Sequence, residues 1–306
     1  MHEPITVLAG GPNAERDVSI NSATAVHAAL IEAGFDATLH TIDRPTADQL
    51  RPIVEGTTVF PALHGPWGEG GPLQDLLETL NAPYVGSRPT PARLAMDKLA
   101  TKLAAASAGL KTAPAAIFNP ADPVPPLPYP FIVKPTHEGS SVGLHICRTQ
   151  DDFAAASAAI NPATPHLIER LITGREITIA LLYDGSTHLR PLPPVEIIPA
   201  AGIYDYAAKY QRSDTQYVPS PPLPTGLAQA LADDALALAK TLGLRHLARV
   251  DFIVTDTADR YLLEANTMPG FTAQSLLPMA ANAAGLSLPD LCSTLIAAAR
   301  TAAAPA

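Results

Sequence analysis

The sequence predicts an α/β protein, a parallel-sheet unit at the N-terminus followed by two α+β units. Three observations lead there. Short apolar runs alternate with segments of helical period from Ile5 to Leu80, the pattern of strands joined by crossover helices. Further on, apolar runs flank Gly/Ser turns, as antiparallel hairpins do. A length of 306 residues is enough for two or three domains.

Ile5 to Ala9 is apolar and stops at Gly10-Gly11-Pro12, a buried strand leaving for a loop. The next helix is expected to use Ser22 as its cap, to bury Val26, Ala29, Leu30 and Ala33, and to stop at Gly34. Ala37 to Ile42 and Thr57 to Leu63 read as strands, and Pro72 to Leu80 as a helix. In such a sheet the site lies in loops beyond the carboxyl ends of the strands, here Gly10 to Asp17 and His64 to Gly71. A second unit opens near Thr90 with one helix from Pro91 to about Ala106. Asn119 to Pro130 holds six prolines in twelve residues and reads as a stiff surface loop. Phe131 to Lys134 and Val142 to Cys147 form a hairpin, followed by a short helix over Asp151 to Ile160. The third unit has strands at Ile177 to Leu182 and Val195 to Ile198, and an irregular stretch from Ala200 to Tyr217. A long helix over Gly226 to Leu242, another hairpin, Ala-rich helices and a fraying tail from Thr301 complete it. The expected domains are 1–92, 93–173 and 174–306.

Composition excludes some partners. Acids outnumber Lys plus Arg by 29 to 20, which leaves no basic stripe for a nucleic acid. A bilayer span needs about 20 apolar residues, and no window supplies them. Cys147 and Cys292 lie far apart and read as small buried hydrophobes, not a disulfide. With no basic leader after Met1, a cytoplasmic protein is expected.

The most informative segment runs from Arg249-Val-Asp251 through Val254 to Tyr261-Leu-Leu-Glu264-Ala-Asn266. A symmetric hairpin sets Val254 against Tyr261, Asp251 against Glu264 and Arg249 against Asn266, with Arg249, Asp251, Glu264 and Asn266 on one face. Facing carboxylates destabilise a sheet unless something offsets their charge. Two carboxylates and an amide oxygen suit Mg²⁺ or Mn²⁺; a face salt-bridged through Arg249 is the alternative. A second segment, Ile132-Val-Lys134 running into Gly139-Ser140-Ser141-Val-Gly143, offers an ammonium and turn N–H groups to phosphate. It lacks Walker spacing.

Together these segments resemble the ATP-grasp enzymes, specifically the D-alanine–D-alanine ligases. The likeness also covers Gly10-Gly11 with Glu15-Arg16-Asp17-Val18-Ser19, His64-Gly65 with Gly68-Glu69, and Met96-Asp97-Lys98. It continues through Lys134-Pro135 with Glu138-Gly139, Tyr204-Asp205-Tyr206 with Lys209-Tyr210, and Leu263-Glu264-Ala265-Asn266-Thr267 before Pro269-Gly270. The resemblance implies a three-domain ATP-grasp fold whose two α+β domains clamp ATP, and a homodimer. It implies ligation of two D-alanines through an acyl phosphate, releasing ADP and phosphate, for peptidoglycan precursor synthesis.

Residue by residue, the resemblance assigns Glu15 to the ammonium of the first alanine, with His64 nearby. Lys98, Lys134 and Lys209 would hold ATP phosphates together with the Ser141 turn. Glu169 and Glu176 would take the adenine amino group and the ribose hydroxyls, and the backbone near Ile172 the base. Asp251, Glu264 and Asn266 would ligate two divalent ions. Arg249 and the Gly270 N–H would stabilise the tetrahedral oxyanion, and Ser275 and Leu276 the second carboxylate. Tyr210 and Ser140 would form a hydrogen-bonded set with Glu15, Tyr210 favouring an amine over D-lactate as acceptor. Arg170 stands where Lys is frequent, and Asn13, Ala23, Met268 and Phe271 also depart from the commonest pattern.

Overall fold

In the computed structural model, residues 4–119, 122, 124–139, 142–186, 188–200 and 214–303 are described. The opening apolar run is β1 (Ile5–Gly10), buried along all its length. It lies between β2 (Ala37–Ile42) and β3 (Thr58–Pro61), parallel to both, which explains a strand with no polar face. Helix α1 (Arg16–Glu32) makes the first crossover and buries Val26, Ala29 and Leu30. Ala33 is exposed at its end. The helix starts six residues before the expected cap. Ser19 N–H already donates to the Glu15 carbonyl, so Glu15 is the cap and the helix begins at Arg16. Ser22 is instead buried within it, and its hydroxyl accepts the Phe271 N–H at 3.2 Å.

Helix α2 (Ala47–Val54) is an addition to the expected elements, and its signal was the capping box of Thr46 and Gln49. After β3 come α3 (Gly65–Gly68) and α4 (Pro72–Thr79). The single helix expected near residue 91 is two, α5 (Pro89–Met96) and α6 (Lys98–Ser107). Asp97 divides them because its carboxylate accepts the Leu99 and Ala100 N–H groups and caps α6.

A four-stranded antiparallel sheet follows, built from β4 (Ala115–Ile117), β5 (Phe131–Pro135), β6 (His145–Cys147), helix α7 (Gln150–Ala159) and β7 (His166–Arg170) in the order β4-β7-β5-β6. The expected hairpin is β5–β6. The third sheet contains β8 (Arg175–Tyr183), β9 (Leu189–Pro191), β10 (Val195–Ile198) and β11 (Gln216–Pro219). After helix α8 (Leu227–Leu242) it takes β12 (Leu247–Val254) and β13 (Arg260–Asn266). The order is β11-β10-β8-β12-β13, with β9 beside β8. Helices α9 (Leu276–Ala283) and α10 (Leu288–Ala303) close the chain. The remainder of the expected fraying tail, 304–306, lies outside the described residues.

The β12–β13 register matches the expected hairpin only in part. Arg249 faces Asn266 and Asp251 faces Glu264, but the next pair is Phe252 with Leu262, and Ile253, not Val254, faces Tyr261. Leu263 is the extra residue of a β-bulge. Phe252 and Leu262 pack in one core beneath α8 with Leu231, Leu238 and Val250, and the bulge keeps Leu262 on that side.

Two cores join chain segments that are distant in sequence. Ile5, Val26 and Phe60 share one with Leu182, Val195, Phe271 and Leu295. In it the Phe60 and Phe271 rings meet edge to face at 5.1 Å. The loops after β1, β3 and β13 are thereby brought to one place. Both cysteines are buried and free.

Candidate active site

Two cavities flank the polar face of β12 and β13. The first, of about 550 Å³, is lined by Lys98, Lys134, Glu169, Ile172, Glu176, Asp251 and Glu264, all expected at a nucleotide site. Ile132, Leu144, Ile146, Ile197, Ile253 and Leu263 supply apolar walls. The second, of about 460 Å³, is lined by Glu15, His64, Arg249, Gly270, Ser275 and Leu276, the residues expected around the amino acids and the oxyanion, and by Asn266, expected as a metal ligand. The cavities abut. Glu138, Asp251 and Glu264 line the first, while Gly139, Arg249 and Asn266 line the second. Ser140, Ser141, Lys209 and Tyr210 lie outside the described residues.

In the first cavity Glu169, 2% exposed, receives two ammonium groups. Lys102 Nζ is 2.5 Å from its Oε1, and Lys134 pairs with its Oε2. Burial alone would raise this carboxyl, but Lys134 and Lys102 outweigh it and hold it below the usual carboxylate range. Burial lowers the Lys102 ammonium, against the pull of Glu169. Lys102 also donates to the Ala113 carbonyl at 2.8 Å. Lys98 donates to the Glu138 carbonyl, fixing the loop that leads to Gly139.

On the polar face, Arg249 Nη2 lies 2.8 Å from Asp251 Oδ2, so the salt-bridged alternative is present. Thr178 donates to Asp251 Oδ1 at 2.6 Å from the facing strand β8. Among the described residues no three His, Cys, Asp or Glu side chains gather as a metal-ligating cluster. The candidate set is two carboxylates on directly opposed positions beside an amide. Those hard oxygen donors, on a cavity wall, fit Mg²⁺ or Mn²⁺.

In the second cavity His64 has its Nδ1 3.0 Å from the Met268 carbonyl. A carbonyl only accepts, so Nδ1 carries the proton and Nε2 is the bare nitrogen. Burial lowers the imidazole pKa, Glu15 opposing and Arg249 assisting, so the ring is neutral. Glu69 is buried alongside, its carboxyl pushed up to about 8 by burial and then by the charge of Glu15. Ser275 Oγ accepts the Thr272 N–H at 3.1 Å. A Cβ on Gly139 would come 3.1 Å from Glu15 Oε2, which shows how closely that loop covers the glutamate.

Sequence reasoning missed Glu69, Lys102 and Thr178. Glu69 stood inside a quoted motif with no role given to it. Lys102 follows Lys98 by one helical turn, and Thr178 is recognisable only once β8 pairs with β12.

The fold and the paired cavities define an ATP-grasp ligase. Family models described as D-ala D-ala ligase C-terminus and N-terminus match residues 117–297 and 44–87. The chain is 41% identical to the D-alanine--D-alanine ligase of Syntrophotalea carbinolica over 96% of its own length and 95% of the relative's. It is 42% identical to that of Bordetella pertussis, over 96% and 94%. A Bacillus anthracis D-alanine--D-alanine ligase solved with ATP superposes with a TM-score of 0.82 at 30% identity, over 98% of both chains. A D-Ala:D-Ser ligase of Enterococcus faecalis gives 0.81 at 25%, over 98% of this chain and 100% of that one. This chain belongs to the D-alanine–D-alanine ligase family, and it is an enzyme of the ligase class. No helix among the described residues is long and apolar enough to cross a membrane.

Proposed function

We propose that the protein joins two D-alanines at the expense of ATP, with ATP in the first cavity and both amino acids in the second. One observation carries the reading: the two cavities meet along the polar face of β12 and β13, between Asp251 and Arg249 and between Glu264 and Asn266. In this reading the phosphate end of ATP and the carboxylate of the first alanine meet along that face.

The first alanine sits with its ammonium at Glu15 and the His64 Nε2. Its carboxylate attacks the γ-phosphate, a P–O bond to ADP breaks, and an acyl phosphate forms. This replaces oxide, a poor leaving group, with phosphate. Lys98 and Lys134 stabilise charge on the transferring group, as phosphoryl transfer requires. Asp251, Glu264 and Asn266 would hold two divalent ions, which neutralise charge between adjacent phosphates when bound. The second alanine is held by its carboxylate at Ser275 and the start of α9, where unpaired N–H groups suit an anion. Its ammonium gives up a proton to solvent, the free amine attacks the acyl carbon, and phosphate leaves with its bonding electron pair. Arg249 and the Gly270 N–H stabilise the intervening oxyanion, each such donor being worth about 3 kcal/mol. Glu169 and Glu176 face the base and ribose; Ser140, Ser141, Lys209 and Tyr210 complete the set. Three units, 1–92, 93–173 and 174–306, a homodimer, a cytoplasmic setting and supply of a peptidoglycan precursor accompany this reading. Incubation with ATP, Mg²⁺ and D-alanine, followed by mass detection of D-alanyl-D-alanine and ADP, tests it; absence of the dipeptide sinks it.

A further inference from the structure

We propose that Glu69 is a positioning residue of this reaction: it ties the loop after β3 to the turn after β13 and so holds His64 with Nε2 as a bare acceptor facing the amino acids. The inference rests on the assignment of the second cavity to the alanines.

The geometry forms a closed circuit. Glu69 is 7% exposed, and its two oxygens accept backbone N–H groups from different segments, Gly65 at 3.1 Å and Met268 at 3.2 Å. Its own carbonyl accepts the Thr267 hydroxyl at 3.1 Å. The Met268 carbonyl in turn accepts from His64 Nδ1. The N–H and C=O of one residue, Met268, are therefore both bound by the loop that carries His64. The consequence lies at the other ring nitrogen. His64 is 6% exposed and its Nε2 has no hydrogen-bond partner among the described residues, while the residue lines the cavity beside Glu15 and Arg249. With its only proton committed to Met268, the ring can accept but cannot donate. It thus recognises an N–H of the substrate, the ammonium, and not a carboxylate.

A simple fold-closing role does not require a carboxylate. The adjacent turn is closed by a neutral side chain, Gln74, which accepts the Gly71 N–H and donates to the Gly68 carbonyl. At Glu69 two donors converge, so both side-chain atoms must accept; each carboxyl oxygen can do so, ionised or protonated, and an amide nitrogen cannot. A Gln there would set an NH₂ against one N–H and release either Gly65 or Met268.

The test uses the full chain. Long-range ¹H–¹⁵N spectra, with the His64 ring assigned by its loss in His64→Gln, read the tautomer directly. The wild type is expected to show Nδ1–H, and Glu69→Gln to lose that single-tautomer signature. In steady-state assays Glu69→Gln is expected to raise the KM for D-alanine about tenfold, the worth of one hydrogen bond, with the KM for ATP within about twofold of wild type. A wild-type His64 protonated on Nε2 overturns the proposal, and that measurement does not need the variant to fold. So does Glu69→Gln with an unchanged D-alanine KM, or with both KM values raised alike. A wild type that makes no dipeptide defeats the ligase assignment instead, and the spectra still decide the tautomer.

Discussion

Arg249 grips Asp251 at two points, Nε to Oδ1 at 2.9 Å and Nη2 to Oδ2 at 2.8 Å. The carboxylate proposed to bind a cation is thus paired with a guanidinium. Asp251→Asn is expected to abolish turnover and also to destabilise the fold by about 3 kcal/mol, because it strands a largely buried charge. Glu264→Gln is expected to abolish turnover with the fold intact. Denaturation curves and metal-dependent ADP release measure the two effects, and Glu264→Gln with wild-type activity would refute the metal assignment.

The Lys102–Glu169–Lys134 cluster places two ammoniums on one buried carboxylate. Removing the carboxylate leaves both uncompensated, so Glu169→Gln should cost about 3–5 kcal/mol. Lys102→Met should cost less, since Glu169 keeps Lys134. Urea unfolding of both variants checks the order; equal losses would contradict it.

His246 occupies the left-handed region at φ 64° and accepts the Gly86 N–H on its Nδ1 at 3.1 Å. Burial, then Arg245 and Arg88, lower its pKa from 6.5 to about 3. Between those values the unfolded chain binds a proton that the folded chain refuses, so stability falls as pH drops through that window. The loss is on the order of a few kcal/mol. His246→Asn, tolerant of the same backbone, should flatten this part of the stability–pH profile. An identical slope in the two proteins would disprove it.

A Cβ on Gly270 would stand 2.7 Å from Ser275 Oγ. The hydroxyl can swing away, so Gly270→Ala is expected to change the melting temperature little. It moves the group proposed to hold the second carboxylate, and the KM for the acceptor alanine should rise at least about tenfold. Saturation kinetics at fixed ATP measure this; an unchanged acceptor KM excludes the role given to Ser275.

Elements with strong local patterns were legible. Ala37–Ile42 and Val195–Ile198 are strands at the bounds read from the sequence, and α4 and α8 differ by one residue at an end. Strand β7 was missed because His166-Leu-Ile-Glu-Arg170 has no alternation; Glu169 is turned inward by its two lysines, a long-range fact. Ser22 was misread because a serine before an apolar face looks like a cap whether it caps or meets Phe271 from a segment about 250 residues away. Many residues that line the two cavities sit in motifs quoted from the sequence, while the roles given to them came from the resemblance and not from local spacing. What spacing does not carry is the partner of each side chain: the grip of Arg249 on Asp251, the circuit through Glu69, and Thr178 from the next strand.

The unpaired Leu263 alters how β13 can be edited. On the carboxyl side of the bulge the strand presents Glu264 and Asn266 to the cavities; on the other side Leu262 returns to the core, and Leu263 joins Glu264 on the cavity wall. One residue shifts the phase of the strand, letting it offer oxygen donors at one end and an apolar wall beside them. Loss of that residue would leave an unbroken register, with Asp251 still against Glu264 and Phe252 still against Leu262, and would remove only the apolar residue beside Glu264. A residue lost anywhere else in β13 would turn Glu264 or Leu262 to the opposite face, so Leu263 is the one position where the strand can change length and keep its donors in place.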